Sequence, residues 1–365
     1  MSSQFTLKPF ISRTLRAVVG AEVIDFWAAE LGSTARVERT IARVTARWME
    51  THDTATLVLK PNSNFPGFTA GQHVNLTVEV DGVRHTRSYS FSESPSTTGL
   101  IAITVKKVPG GRVSTHLVDS IKVGDEIELG RPFGDMTLPA DIAGQKLLFL
   151  AAGSGITPLM SFIRQLERQS MPADVVLMYY VRSRQDLIFG RELTALAGQY
   201  AGLRVLPVYE HETSLAAGEL SGRPSREQFD AVLPDLAERA VYVCGPTGFM
   251  NAVRQLCEGQ ARAFHAEAFT PPVFVPSVAT GTVRLTLSKS NRTVEVPEGM
   301  PLLDALEAQG IKPRSGCRMG ICNTCACGKA AGVTRNLMNN EVSVDASSSL
   351  RICVSAAVGD VTLDL

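Results

Sequence analysis

At 365 residues the chain is too long for one ordinary core and predicts two or three domains. Lys plus Arg and Asp plus Glu both total 36, a balance that argues against a general nucleic-acid binder, and 44% hydrophobic with 20% charged residues argues against a disordered chain. No apolar run reaches the roughly 18 residues of a membrane span, and the N-terminus lacks a basic stretch followed by an apolar one, so a cytoplasmic protein is expected.

In residues 1–36, Leu15, Val18, Val19, Val23, Ile24, Phe26, Trp27 and Leu31 have loosely helical spacing. This reads as a helical extension packed on its own protein, or as a docking helix for a partner or a membrane surface. From 37 to 140 the pattern turns to strands: Ala42–Trp48, Thr54–Leu59, a hairpin of Val74–Val80 and Val83–Phe91 around Asp81–Gly82, then Leu100–Val108 and Asp125–Leu129. Short strands with turn signals and one helix after Gly110–Gly111 predict a small antiparallel β-barrel. A glycine-rich turn opening a helix suits a pyrophosphate, because free backbone N–H groups and the helix dipole point at it.

From 141 to 270 the period changes. Lys146–Ala152 is a short apolar run, read as a buried parallel strand, followed by Gly153-Ser154-Gly155-Ile156-Thr157-Pro158 and a helical pattern to about Gln169. Further strands at Val175–Val181, Val205–Tyr209 and Ala240–Val243 alternate with helices, which predicts an α/β doubly wound parallel sheet. The loop at Gly153 follows the first strand, where such sheets bind nucleotides; Pro158 suits a first helical position. Arg182-Ser183-Arg184 follows the next strand, where an acidic residue would favour NADH. Two guanidinium groups suit a 2′-phosphate instead, so NADPH is expected, with NADH the alternative. Residues 271–281, with Pro271, Pro272 and Pro276, read as a stiff linker.

The last segment, 282–365, predicts strands at Val283–Leu287 and Thr293–Val296, then a helix from Pro301 to Ala308. Cys317, Cys322 and Cys325 follow at C-x4-C-x2-C spacing, with Cys353 further on. This is the ligand pattern of a plant-type 2Fe-2S cluster. Gly316, Gly320 and Gly328 allow the backbone to approach it. Disulfides fit poorly in a chain with no sign of secretion, and structural zinc more often takes two close cysteine pairs or histidines. Cys327 is surplus to the spacing and is taken as a non-ligand.

This last segment resembles a plant-type ferredoxin domain, which implies an α+β β-grasp fold. Arg87-Ser88-Tyr89-Ser90, the Gly111-Arg112-Val113-Ser114 turn, Arg131-Pro132-Phe133-Gly134, the Gly153 loop, Cys244-Gly245-Pro246 and Glu267-Ala268-Phe269 together resemble the ferredoxin–NADP reductase superfamily. The resemblance implies that Arg87 pairs with a flavin phosphate, Tyr89 lies along the flavin, Ser90 sits near its N5, and residues 111–114 hold the pyrophosphate of FAD rather than FMN. It implies that Gly153, Gly155 and Thr157 approach the nicotinamide dinucleotide. Cys244, with Gly245 and Pro246, would then border the nicotinamide, Glu267 would join Ser90 and Cys244 at the hydride path, and Phe269 would cover the flavin.

The implied activity is NAD(P)H oxidation, with electrons passing through FAD and the cluster to a separate oxygenase, hydroxylase or desaturase. A nicotinamide yields two electrons together, a two-iron cluster accepts one, and a flavin connects the two. A second reading makes the cluster a docking or regulatory element of a larger complex; a third makes the chain itself a terminal reductase of a small molecule.

Overall fold

The computed structural model describes residues 20–268, 281–338 and 340–365. The predicted strands and helices are present in three six-stranded sheets. Phe269 and most of the expected linker lie outside the described residues, as do the first nineteen residues. The remainder of the expected N-terminal helix is α1 (Ala21–Glu30), none of whose residues is buried. It is tied to the first sheet by the Val37 N–H, which donates to Asp25 Oδ1 at 2.8 Å.

The first sheet is antiparallel and contains β1 (Thr40–Thr51), β2 (Thr54–Pro61), β3 (His73–Val80), β4 (Val83–Ser90), β5 (Ile101–Lys106) and β6 (Glu126–Leu129), in the order β4-β3-β6-β1-β2-β5. Its two edges meet where Phe91 pairs with Ile103, which curls the sheet into a barrel. Alternation drives the closure. Val74, Leu76 and Val78 point into a core shared with Leu57, Ile103 and Phe91, while the residues between them face outward. One end is plugged by α2 (Arg112–Thr115), continued by a π turn over His116–Ser120 that buries Leu117 and Val118.

The second sheet is wholly parallel. It contains β7 (Lys146–Ala152), β8 (Asp174–Val181), β9 (Leu203–Tyr209), β10 (Leu220–Ser221), β11 (Ala240–Gly245) and β12 (Ala263–Ala268), in the order β10-β9-β8-β7-β11-β12. The order reverses between β7 and β11, so the loops leaving these two strands diverge and form a crevice. After β7 comes α3 (Ile156–Arg168), which buries Leu159, Phe162, Ile163 and Leu166. Pro158 falls third in this helix rather than first; its missing N–H is still one of those that a first turn leaves unbonded. Between β8 and β9 lies α4 (Gly190–Gln199), between β10 and β11 α5 (Arg226–Val232), and after β11 α6 (Thr247–Cys257).

The third sheet joins β13 (Thr282–Leu287), β14 (Arg292–Pro297), β15 (Ala326–Asn336), β16 (Val342–Ser343), β17 (Ser347–Arg351) and β18 (Ser355–Leu363). Its centre is a parallel pair, β13 with β18, and α7 (Leu302–Ala308) packs Leu302, Leu303 and Leu306 into the core beneath it. This is the expected α+β arrangement. No helix among the described residues is long and apolar enough to cross a membrane.

The barrel and the parallel sheet are clamped together. Arg164 on α3 donates from Nη1 to the Ser92 carbonyl at 2.6 Å and forks onto Glu192 at 2.8 and 2.6 Å. Ser161 Oγ donates to the Glu93 carbonyl at 2.7 Å. The Arg164 side chain is about nine-tenths buried, so removing it strands the buried Ser92 carbonyl out of water. Arg164→Ala is expected to destabilise the protein by about 3 kcal/mol, read as a fall in melting temperature. An unchanged melting temperature would show that this contact does not hold the domains together.

Candidate functional site

Two clefts meet where the barrel faces the parallel sheet. The first, of about 410 Å³, has Arg87, Ser88, Tyr89 and Ser90 of β4 along one wall. Gly111, Arg112, Val113 and Ser114 line another part of it, with Ser154 and Thr157 from the β7–α3 turn. The second, of about 620 Å³, lies at the reversal of the parallel sheet and is bordered by Gly153, Arg182 and Pro246. Lys106 and Ser154 line both, so the clefts are continuous.

Gly155 lies behind this wall. A Cβ there would fall 2.1 Å from the Cys244 carbonyl oxygen, so only glycine lets the β7 and β11 loops touch. Cys244 is fully buried at the end of β11, and its thiol is pushed well above the usual range by burial and then by Glu267. Gly245 follows it, closed in by Phe249 and Ala152.

The strand registers align the other polar groups. Cys244 pairs with Glu267 across β11 and β12, and His73 pairs with Ser90 across β3 and β4. Between the two sheets, His73 Nδ1 lies 3.2 Å from Glu267 Oε1. Ser90, His73, Glu267 and Cys244 therefore form one line across the domain boundary. Burial pushes the Glu267 carboxyl up to about 8, with Asp135 adding to the rise, and pulls the His73 imidazole down to about 3. Both shifts favour the neutral form, so this 3.2 Å approach is not an ion pair.

Ser90 Oγ and Glu267 Oε2 are buried without a hydrogen-bond partner among the described residues. Orphaned polar atoms beside a cleft fit a polar ring system bound there. Burial also pushes the Tyr89 hydroxyl up, outweighing the opposing Arg87 charge.

The sequence reading is altered at Arg184. This side chain forks onto Glu219, pairs with Glu212 at 3.0 Å and stacks over Tyr209 at 5.0 Å, and does not line the nucleotide cleft. Arg223, held 2.7 Å from Glu210, lines it instead. The Gly222-Arg223-Pro224 turn after β10 was the available signal. Lys106 was also missed: it bridges Asp53 of the barrel at 2.8 Å and Asp186 of the parallel sheet's domain at 3.7 Å.

The four expected ligand cysteines of the C-terminal domain, Cys317, Cys322, Cys325 and Cys353, converge, all as free thiols. The Cys317 N–H donates to Cys322 Sγ at 3.2 Å, and the Met319 and Cys322 N–H groups donate to Cys317 Sγ at 3.3 and 3.4 Å. Backbone donors aimed at sulfur are what a cluster of thiolates requires. The Cys322 thiol is pulled down by hydrogen bonding from Cys317 first, and Cys325 by hydrogen bonding from Cys353; their partners are pushed up correspondingly. Arg318 fixes the loop to α7 through Glu307 at 2.6 and 2.9 Å. Cys327 lies on β15, and its thiol is pushed up to about 11 by burial. Met319 also lines the first cleft, alongside the barrel residues.

The fold and these linked sites define a pyridine-nucleotide oxidoreductase with flavin and iron–sulfur centres. Family profiles match in the same order: oxidoreductase FAD-binding domain over 42–138, oxidoreductase NAD-binding domain over 149–255, and 2Fe-2S iron-sulfur cluster binding domain over 285–358. An NADPH oxidoreductase of Mycobacterium tuberculosis is 36% identical over 322 residues, covering 87% of this chain and 82% of the relative. A glycine betaine monooxygenase reductase subunit of Pseudomonas aeruginosa is 32% identical over 319 residues, covering 81% and 87%. The solved phthalate dioxygenase reductase shares the fold with a TM-score of 0.59 at 23% identity, covering 90% of this chain and 98% of that one. The chain belongs to the ferredoxin–NADP reductase superfamily, as a single-chain electron-transfer reductase that carries its own 2Fe-2S domain.

The Glu267 assignment has a pH consequence. Its folded value lies above the ordinary 4.5, so its contribution to stability is full below 4.5 and lost as pH rises through about 8. His73 runs the other way and contributes fully above 6.5. From pH 6.5 to 8, flavin-free protein is expected to lose roughly 1–2 kcal/mol relative to Glu267→Gln. Parallel melting curves for the two proteins across this window would rule out a buried acid at this position.

Proposed function

We propose that this reductase works in the cytoplasm, draws on NADPH, and supplies single electrons to a separate oxygenase, hydroxylase or desaturase. The observation that carries this reading is continuity. The nucleotide cleft shares Lys106 and Ser154 with the flavin cleft, and Met319 of the cluster loop reaches that same flavin cleft. A separate partner is supported by the Pseudomonas aeruginosa relative, itself the reductase subunit of a monooxygenase.

Bound FAD supplies the conversion from a two-electron donor to a one-electron acceptor. The protein's part is binding, orientation and control of charge. Arg87 offers a guanidinium to the flavin phosphate, and residues Gly111, Arg112, Val113 and Ser114 form the pyrophosphate cradle. Ser88, Tyr89 and Ser90 orient the ring system. Gly153, Gly155 and Thr157 shape the turn that receives the dinucleotide, with Gly245 and Pro246 opposite. Cys244, buried behind the Gly155 contact, would support the wall on which the nicotinamide is received. Glu267 and His73, which burial holds toward the neutral form, would leave the space between flavin and nicotinamide without a fixed charge, and Glu267 would hold a proton at its carboxyl. Cys317, Cys322, Cys325 and Cys353 are the cluster ligands. The role proposed for Phe269 in covering the flavin rests on family resemblance.

For the coenzyme, Arg182 and Arg223 supply the cations at the nucleotide cleft, while Arg184 is held by its two glutamates. Arg182→Gln is expected to raise KM for NADPH about tenfold and to leave KM for NADH nearly unchanged. A wild-type preference for NADH would overturn the NADPH assignment.

The division of labour is tested by Cys353→Ser. Iron content and the cluster's visible absorbance are expected to collapse, and acceptor reduction with them. NADPH oxidation by a dye that accepts electrons from flavin should stay within about twofold of wild type. Loss of dye reduction in a folded, flavin-loaded variant would show that the two halves do not act in series.

A further inference from the structure

The C-terminal domain holds a cavity that electron transfer does not use. It has a volume of about 200 Å³ and lies between β15, β16, β17 and the start of β18. Lys329 of β15 lines it and is only 1% exposed. The ammonium donates to Thr334 Oγ1 at 3.2 Å and to the Ser343 carbonyl at 2.9 Å. An ammonium has three donors, so one is left over. Among the described residues no carboxylate forms an ion pair with it; Asp345 offsets the effect of burial only from a distance. Ser355, 4% exposed, lines the same cavity, and its hydroxyl makes no hydrogen bond among the described residues. Arg351 of β17 brings a second cation to the wall.

A cation taken out of water without a counter-ion carries a desolvation cost that a bound anion offsets. Two cations and an unused hydroxyl are the chemistry that recognises a small oxyanion. The cavity has room for one, with a few waters. Glu341 also lines it. A carboxylate there repels a fully ionised anion but can accept a hydrogen bond from one that keeps a proton. Phosphate keeps a proton at neutral pH and sulfate does not, so phosphate is favoured. The cavity is also tied to the cluster loop. Arg351 donates from Nη1 to the Gly320 carbonyl, between Cys317 and Cys322, and stands two residues before Cys353. A reduced cluster carries one more negative charge than an oxidised one, so an anion held on Arg351 opposes its reduction.

We propose that this cavity binds inorganic phosphate through Lys329, Arg351 and Ser355, and that its occupation makes the neighbouring cluster harder to reduce. Binding requires only the cavity itself. The effect on the cluster rests on the assignment of Cys317, Cys322, Cys325 and Cys353 as its ligands.

The test uses the intact, flavin-loaded protein with NADP+ in excess, so that phosphate cannot enter the flavin or nucleotide clefts. Equilibrium dialysis against radiolabelled phosphate is expected to find a single bound phosphate per chain, displaced by unlabelled phosphate but not by equimolar sulfate. Lys329→Met is expected to abolish binding. Ser355→Ala, which removes one hydroxyl and adds no bulk, should keep the fold and weaken binding roughly tenfold. Redox titration, followed by the electron paramagnetic resonance of the reduced cluster, gives the second readout. Saturating phosphate should move the wild-type cluster potential negative relative to chloride at equal ionic strength, and should leave Lys329→Met unmoved. Wild-type protein that binds no phosphate, or wild-type affinity in Ser355→Ala, would overturn the site. Equal displacement by sulfate would overturn the choice of phosphate, and a potential indifferent to bound phosphate would overturn the coupling. Protein that takes up phosphate but no iron would instead overturn the cluster assignment on which the coupling rests.

Discussion

The structure depends on the two-residue alternation of one strand pair. On β3 and β4 the partners His73 and Ser90, Asn75 and Ser88, Thr77 and Thr86 stand opposite each other, and all are polar. The residues between them on β3, Val74, Leu76 and Val78, fill the barrel core. A slip of one residue in this register would turn the whole polar row inward and the apolar row outward, which the buried core forbids. Packing of the barrel therefore fixes the face on which flavin, nucleotide and cluster sites meet. His73 reaches the parallel sheet through Glu267, and Asn75 reaches the C-terminal domain through Thr324.

Much of this was legible in the sequence because it is local. Strand alternation, the Asp81–Gly82 turn, the apolar run of β7 and the cysteine spacing each depend on neighbours a few residues apart. The groups that were missed have partners far along the chain. His73 meets Glu267, and Asn75 meets Thr324, only after whole domains have docked. Arg184 shows the same limit from the other side. Its position after β8 suggested a phosphate ligand, but Glu212 and Glu219 return from beyond β9 and take the guanidinium first. Two carboxylates already in place are a persistent competitor for an arginine, whereas a coenzyme phosphate is present only when bound. Arg223, further along the same return segment, occupies the cleft instead.

The two domain boundaries are built differently. Barrel and parallel sheet are joined by Arg164, buried and fully engaged on both sides, and by Ser161 on a backbone carbonyl. Such contacts cost several kcal/mol to break singly, because each leaves a polar group stranded out of water. The boundary with the cluster domain has a different character at its rim, where an amide and a hydroxyl meet in an exposed hydrogen bond. In water that bond contributes about 1 kcal/mol at most. The difference suits the two transfers. Hydride transfer needs the nicotinamide and flavin held within contact distance and aligned, which a rigid clamp provides. A single electron tolerates a looser alignment.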